Sequence, residues 1–308
     1  MSSESPKDFA SSLECPAAVK PVLERVTPHV TDVGGIAVNR VLPRRARRLV
    51  GSWCFLDHIG PLRNAAIDLH VGEHPHIGLQ TFTWMMEGEI LHRDSLGSDQ
   101  VIRPGQVNLM TAGRGIAHTE DALPGQNAIH AAQLWIALPK EQADTEPRFD
   151  HYADLPKWQA QNAELTLLIG EYANKTAPTL RFSPIVGVDL QILAAGETIL
   201  ELREDFEYGL LPLSGSLNIE GETFAENDLA YLGCGRRSLT ISTTGPSRAL
   251  LVGGAPVTDE VLIWWNFVGH DRATIIQAQE DWLAKSGRFA PVPGATKRLA
   301  PPPIPWRS

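Results

Sequence analysis

Two short stretches hold the residues with the most chemistry in them. His74 and His76 flank a single proline, and further along His118 and Glu120 stand at the same separation. In a β-strand alternate residues face the same side, so each pair aims two potential ligands at one point. If the two strands are neighbours in one sheet, or face each other inside a barrel, three imidazoles and one carboxylate converge. Neutral imidazole and carboxylate suit Fe(II), Mn(II), Ni(II), Cu(II) or Zn(II), and the lack of a thiolate argues against a closed structural zinc site. Four protein ligands on an octahedral ion leave two positions open, which is what dioxygen and a chelating organic molecule require. Paired histidines also occur as plain surface or core residues; a second pair at matching spacing is what turns the pattern towards a metal.

Other chemistries find little support. AGRG (112–115) lacks the Lys-Ser/Thr of a phosphate loop and the strand-to-helix setting of a dinucleotide fingerprint. There is no GxSxG and no Cys–His pairing, so nucleophilic catalysis is not indicated. Cys15, Cys54 and Cys234 lie far apart without CxxC spacing, so no disulfide framework is expected. The first twenty residues lack a basic start followed by an apolar core, and the cytoplasm is the expected compartment. His58 and His70 precede the motif and can sit near a pocket, whereas His29, His92, His130, His151 and His270 have no partner spacing; all seven read as surface or satisfied core residues. Arg114, with a glycine on each side, is open between steadying a turn and contacting a ligand. Trp84, Met85 and Met86 follow the histidine strand and read as core before pocket lining.

The elements that must position these residues are mostly strands. The chain has 308 residues, 43% hydrophobic and 20% charged, enough for two modest domains or one large one. No apolar run approaches the roughly 20 residues of a membrane span. A net charge of −9 argues against direct nucleic-acid binding. The one basic string, RVLPRRARRLV (40–50), reads as arginines on an exposed loop and strand entry. Short apolar stretches at 36–41, 79–85, 129–138, 165–170, 188–193, 198–203, 229–232 and 248–253, several alternating with period two, predict an all-β sandwich or barrel. One helix is predicted at 271–286, with Ile275, Ala278, Gln279, Trp282 and Leu283 on its packing face, Asp271 at its start and Gly287 at its end. Segments 86–115 and 213–237 echo each other as strand, Gly turn, strand, polar turn, strand, which suggests one β architecture used twice. The polar segment 139–163 reads as a linker between the halves. The last eighteen residues carry six prolines and predict an extended tail draped over the body.

EHPHIGLQT (73–81), PGQVNLMTAGRGIAHTE (104–120) and FLDHIGP (55–61) resemble the pirin family, a branch of the bicupins, and the likeness runs over most of the chain. The resemblance implies an all-β bicupin: two packed β-barrels with a short C-terminal helix, an N-terminal barrel over 1–150 holding the metal and a C-terminal barrel over 151–308. It implies His74, His76, His118 and Glu120 as metal ligands, in agreement with the spacing. The expected metal is one divalent transition ion, Fe(II) first, with Mn, Ni, Cu or Zn as alternatives. Where the cupin pattern carries a further glutamate this chain has Gln80, whose amide brings no charge to an ion. The second half has no histidine between His151 and His270, so no equivalent site is expected there. The family implies a quercetin 2,3-dioxygenase-type oxygenase acting on a flavonol or related polyphenol with dioxygen, Glu120 serving as ligand or proton acceptor. Two alternatives stand beside it: a regulatory protein whose metal oxidation state governs affinity for a protein partner, and a cupin that binds metal without turnover.

Overall fold

The computed structural model describes residues 21–306. Strand-forming segments dominate because β-branched and aromatic residues alternate with small or polar ones between Gly and Asn turns. They assemble into two sandwiches. In the first, seven strands run in the order Arg148–Tyr152, Val107–Thr111, Leu79–Glu87, Ala128–Ala137, Trp53–Arg63, Ile36–Leu42, His29–Val33. Facing them is a four-stranded sheet of His70–His76, Ile116–Ala122, Ile90–Asp94 and Asp99–Ile102. The core shared between these sheets includes Ile36, Val38, Ile59, Met85, Ile90, Ile102 and Ile129. The second sandwich repeats the plan, with a large sheet built around Ser247–Gly254 and a small one of Gly196–Glu201, Ser238–Thr243, Leu217–Ile219 and Glu222–Phe224.

The two large sheets pack back to back. Trp53, Phe82, Trp84, Leu134 and Ile136 from the first meet Leu168, Ile185, Leu211, Leu250 and Val252 from the second. This explains why Leu79–Met86 is buried at every position. One set of alternate residues enters its own barrel while the other enters the seam, so the polar half of a period-two pattern disappears. At about 25 cal/mol per Å2 of apolar surface buried, a seam between two whole sheets is a major source of stability. A half-buried ion pair borders it: Arg248 grips the buried Asp189 at 2.8 and 2.9 Å, and Trp84 Nε1–H of the other sandwich donates across the seam to the same carboxylate at 3.2 Å. Trp84 and Met86 thus pack in the seam and Met85 in the first barrel's core, as the core reading expects.

The C-terminal segment returns to the first sandwich. Leu262, Phe267, Ile275, Ala278, Trp282, Phe289 and Val292 cluster with Ile77 and Ala117 beside the small sheet. The helix Arg272–Leu283 starts as predicted, Asp271 accepting the Thr274 N–H at 2.8 Å. Its end differs. Lys285, not Gly287, takes the left-handed conformation at φ 54°, with Lys285 N–H donating to Trp282 O and Ser286 N–H to Asp281 O. That paired closure sets the stop by hydrogen bonding, so the glycine is not needed for it. Leu283 is 60% exposed, because it lies about 100° further round than Trp282 and leaves the packed arc.

Two further expectations are corrected. Segment 139–163 contains the strands Arg148–Tyr152 and Lys157–Ala160, edge strands whose half-buried residues hide the alternation. Cys54 is a buried free thiol. Cys15 and the leader reading of the first twenty residues lie outside the described residues. The arginines of 40–50 are more engaged than a solvated loop: Arg40 forms a two-pronged pair with Asp57, and Arg47 binds Glu24 and lies 3.5 Å over Tyr231. No helix is long and apolar enough to cross a membrane among the described residues.

Candidate metal centre

The strands His70–His76 and Ile116–Ala122 are antiparallel neighbours, with His74 opposite His118 and His76 opposite Ile116. The two motifs therefore meet through backbone pairing. A bulge sits beside them: Glu120 pairs with Val71, so one extra residue is taken up on the histidine strand between Val71 and His74. It leaves the Gly72 carbonyl turned to accept His74 Nδ1–H at 2.8 Å. His76 Nδ1 donates to the Asn266 carbonyl at 2.9 Å, from the Leu262–Gly269 hairpin of the C-terminal segment. A carbonyl only accepts, so both Nδ1 atoms carry the proton and each Nε2 keeps its lone pair.

The three rings crowd together. Ring centroids are 4.3 Å apart for His74 and His118, and 5.0 Å for both other pairs. The nearest ligand atoms of His74, His76 and His118 lie within 4.8 Å of one another, and His76 Nε2 is 3.1 Å from His118 Nε2. Two nitrogens bound side by side to one first-row ion at about 2.1 Å stand about 3 Å apart, so this spacing fits a shared cation. Burial is nearly complete, with His76 and His118 each 1% exposed. Desolvation, reinforced by the neighbouring imidazoles, holds His76 and His118 well below the ordinary histidine range. His74 is lowered to about 4, again chiefly by burial. All three rings are therefore neutral at physiological pH, the form a metal requires.

Glu120 stands in a second, overlapping group. Its carboxylate shares a 4.8 Å neighbourhood with His92 and His118. Burial first, then the Asp121 charge, pushes its carboxyl up to about 7. The expected set of four is thus distributed over two triads joined at His118. His92 is the residue sequence reasoning passed over. It pairs with Asp94 two residues on in Ile90–Asp94, at 3.1 Å. The missed signal is the same alternate spacing, His-Arg-Asp, that marks the other two motifs.

The remaining candidates fall elsewhere. His58 bonds His130 at 2.8 Å from the neighbouring strand of its own sheet and Asn227 of the second sandwich at 2.6 Å, and His70 is exposed between Asp68 and Asp121. Arg114 serves its turn: its N–H donates to Thr145 O, its carbonyl accepts from Arg288 and its guanidinium pairs with Glu146. Gln80 is fully buried and donates Nε2 to Thr111 Oγ1 at 3.0 Å, its Oε1 having no hydrogen-bond partner. The aromatic run LIWWNFVG (262–269) packs on the first barrel, supplying Asn266 to His76.

Comparison with known proteins gives a consistent outcome. The Pirin family model matches residues 35–136, and the model of the Pirin C-terminal cupin domain matches 187–290. A protein of Pseudomonas aeruginosa named "Putative quercetin 2,3-dioxygenase PA1205" is 54% identical over 303 residues, covering 97% of this chain and 96% of its own. A pirin-like protein of Caulobacter vibrioides is 36% identical, covering 85% of this chain and 96% of its own. A solved quercetin 2,3-dioxygenase from Acinetobacter baumannii superposes with a TM-score of 0.90 at 42% identity, covering 93% of this chain and 97% of that one. The histidine cluster and these relatives together imply a divalent metal.

Proposed function

The chain belongs to the pirin family, and from that footing we propose that it is a metal-dependent dioxygenase of the quercetin 2,3-dioxygenase type, acting on a flavonol or related polyphenol. The observation that carries the reading is the convergence of three neutral imidazoles, two with their tautomers fixed by backbone carbonyls. His74, His76 and His118 hold the ion, Fe(II) in the first instance, and Glu120 completes the set. When bound, a divalent transition metal supplies Lewis acidity toward a phenolic or enolic oxygen and a site for dioxygen.

The chain's own residues do the rest. The backbone carbonyls of Gly72 and Asn266 keep two imidazoles from rotating, so the ligand positions are set before any substrate arrives. Trp135 stands edge-on to His76 at 5.1 Å and stacks on Phe55 at 4.0 Å, giving the centre an apolar wall that excludes water. Glu120 keeps its carboxylate within 4.8 Å of the ligand nitrogens of His92 and His118, within reach to accept the proton of a phenolic hydroxyl.

Oxygen uptake with quercetin tests this. Wild type loaded with Fe(II), Mn(II) or Ni(II) consumes oxygen, while His76→Ala does not and Glu120→Gln loses roughly 100-fold or more. Equal rates in wild type and His76→Ala remove the proposal. Metal uptake without oxygen consumption on any polyphenol favours a non-catalytic role instead.

A further inference from the structure

A buried carboxylate sits one imidazole away from the metal-facing rings. Asp94 is fully buried; its Oδ1 accepts the N–H groups of Leu96 at 2.9 Å and Ser98 at 3.1 Å, and its Oδ2 lies 3.1 Å from His92 Nε2. An ionised carboxylate only accepts, so His92 Nε2 carries the proton and His92 Nδ1 is left with a lone pair. His92 Nδ1 lies 3.4 Å from His118 Nδ1. The His92 side chain is 4% exposed and its ring is stacked on Phe149 at 4.4 Å and 17°, which fixes the plane in which it can accept.

His118 differs from its two companions in how its proton is placed. His74 and His76 each give Nδ1–H to a carbonyl, an acceptor whatever its surroundings. Facing His118 Nδ1 is an imidazole, which accepts there only if its own proton sits on the far nitrogen. Asp94 secures that condition. We propose that Asp94 and His92 act as a relay that holds His118 in its Nδ1–H form, presenting the His118 Nε2 lone pair to the ion.

His92 and Asp94 are thus positioning residues, and the inference rests on the metal reading above. It also explains why a buried Asp and His stand beside the cluster outside its first triad. Outer groups that orient a ligating histidine typically change metal affinity 10–100-fold when removed.

Nickel(II) titration of the full chain provides the test, with two substitutions. His92→Phe keeps a ring against Phe149 but offers no acceptor, and is expected to bind Ni(II) roughly 10–100-fold more weakly than wild type. His92→Asn restores an acceptor oxygen near the Nδ1 position and is expected to recover most of the affinity. Wild-type affinity in His92→Phe overturns the relay. So does His92→Asn binding as weakly as His92→Phe, the outcome if His92 were itself a ligand. A readout that needs no variant is the 15N spectrum of the metal-free wild type at pH 8. The relay requires the His92 proton on Nε2, and a proton on Nδ1 overturns it. A wild type that takes up no Ni(II) refutes the metal centre, and the His92 spectrum then still decides the relay.

Discussion

Glu73 joins the tail of the chain to the metal-ligand strand, and replacing it tests how much that join contributes. The side chain is 8% exposed, and its Oε1 accepts Val292 N–H at 3.1 Å and Arg298 Nη1 at 3.3 Å. Backbone bonds run beside it, from Glu73 N–H to Lys297 O and from Leu299 N–H to Glu73 O. In Glu73→Ala the buried Val292 N–H is orphaned, at about 1–3 kcal/mol. Arg298 loses less, since it is 24% exposed, still donates to Trp282 O at 2.9 Å and lies 3.1 Å over the Trp282 ring. Allowing about 1 kcal/mol for it gives a total of about 2–4 kcal/mol. At about 2–4 °C per kcal/mol, Tm falls by roughly 4–16 °C. Glu73→Gln keeps an acceptor and loses only the charge, at about 1 kcal/mol, or a few degrees. Thermal melting measures both, and hydrogen exchange at Glu73 and Leu299 reports whether the tail has loosened. Because His74 is the next residue, Ni(II) affinity falls with it in Glu73→Ala. A Glu73→Ala melt within a degree of wild type, or Glu73→Gln as damaging as Glu73→Ala, refutes the reasoning.

Acid should weaken the fold through the seam histidines. Burial lowers His58 to about 4 and His130 to about 3, so between pH 6.5 and those values the unfolded chain binds protons that the folded chain does not. Stability is therefore full above 6.5 and declines as pH falls below it, by up to about 1.4 kcal/mol per pH unit for each such imidazole. Urea unfolding at pH 8 and pH 5 measures this, and identical midpoints contradict it. Gly113→Ala drives a Cβ into the Thr145 carbonyl oxygen at φ +49°, so it is expected to cost at least about 2 kcal/mol in thermal melts; an unchanged Tm contradicts the stated clash.

Much of this architecture can be read from the sequence because its signals are local. Alternation marks the central strands, and two pairs of residues at alternate positions mark the ligand strands. The Asp271 cap and the Ile275, Ala278, Trp282 stripe mark the helix. What stays hidden depends on contacts distant in sequence. His76 meets the Asn266 carbonyl across a separation of 190, and Glu73 meets Arg298 across 225. Neither has a spacing to read. The edge strands Arg148–Tyr152 and Lys157–Ala160 show little alternation because each is only half covered. His92 is different: its signal is present in His-Arg-Asp but weak alone, since only the pairing of Glu120 with His92 brings it beside His118.

The central claim is that one cation is held jointly by residues from two separate strands. Equilibrium dialysis of the full chain against Ni(II), followed by metal analysis, tests it most directly. The account predicts one ion per chain in wild type and loss of that ion in both His76→Ala and His118→Ala. A wild type without metal, or a single substitution on either strand that leaves the stoichiometry and affinity unchanged, contradicts it.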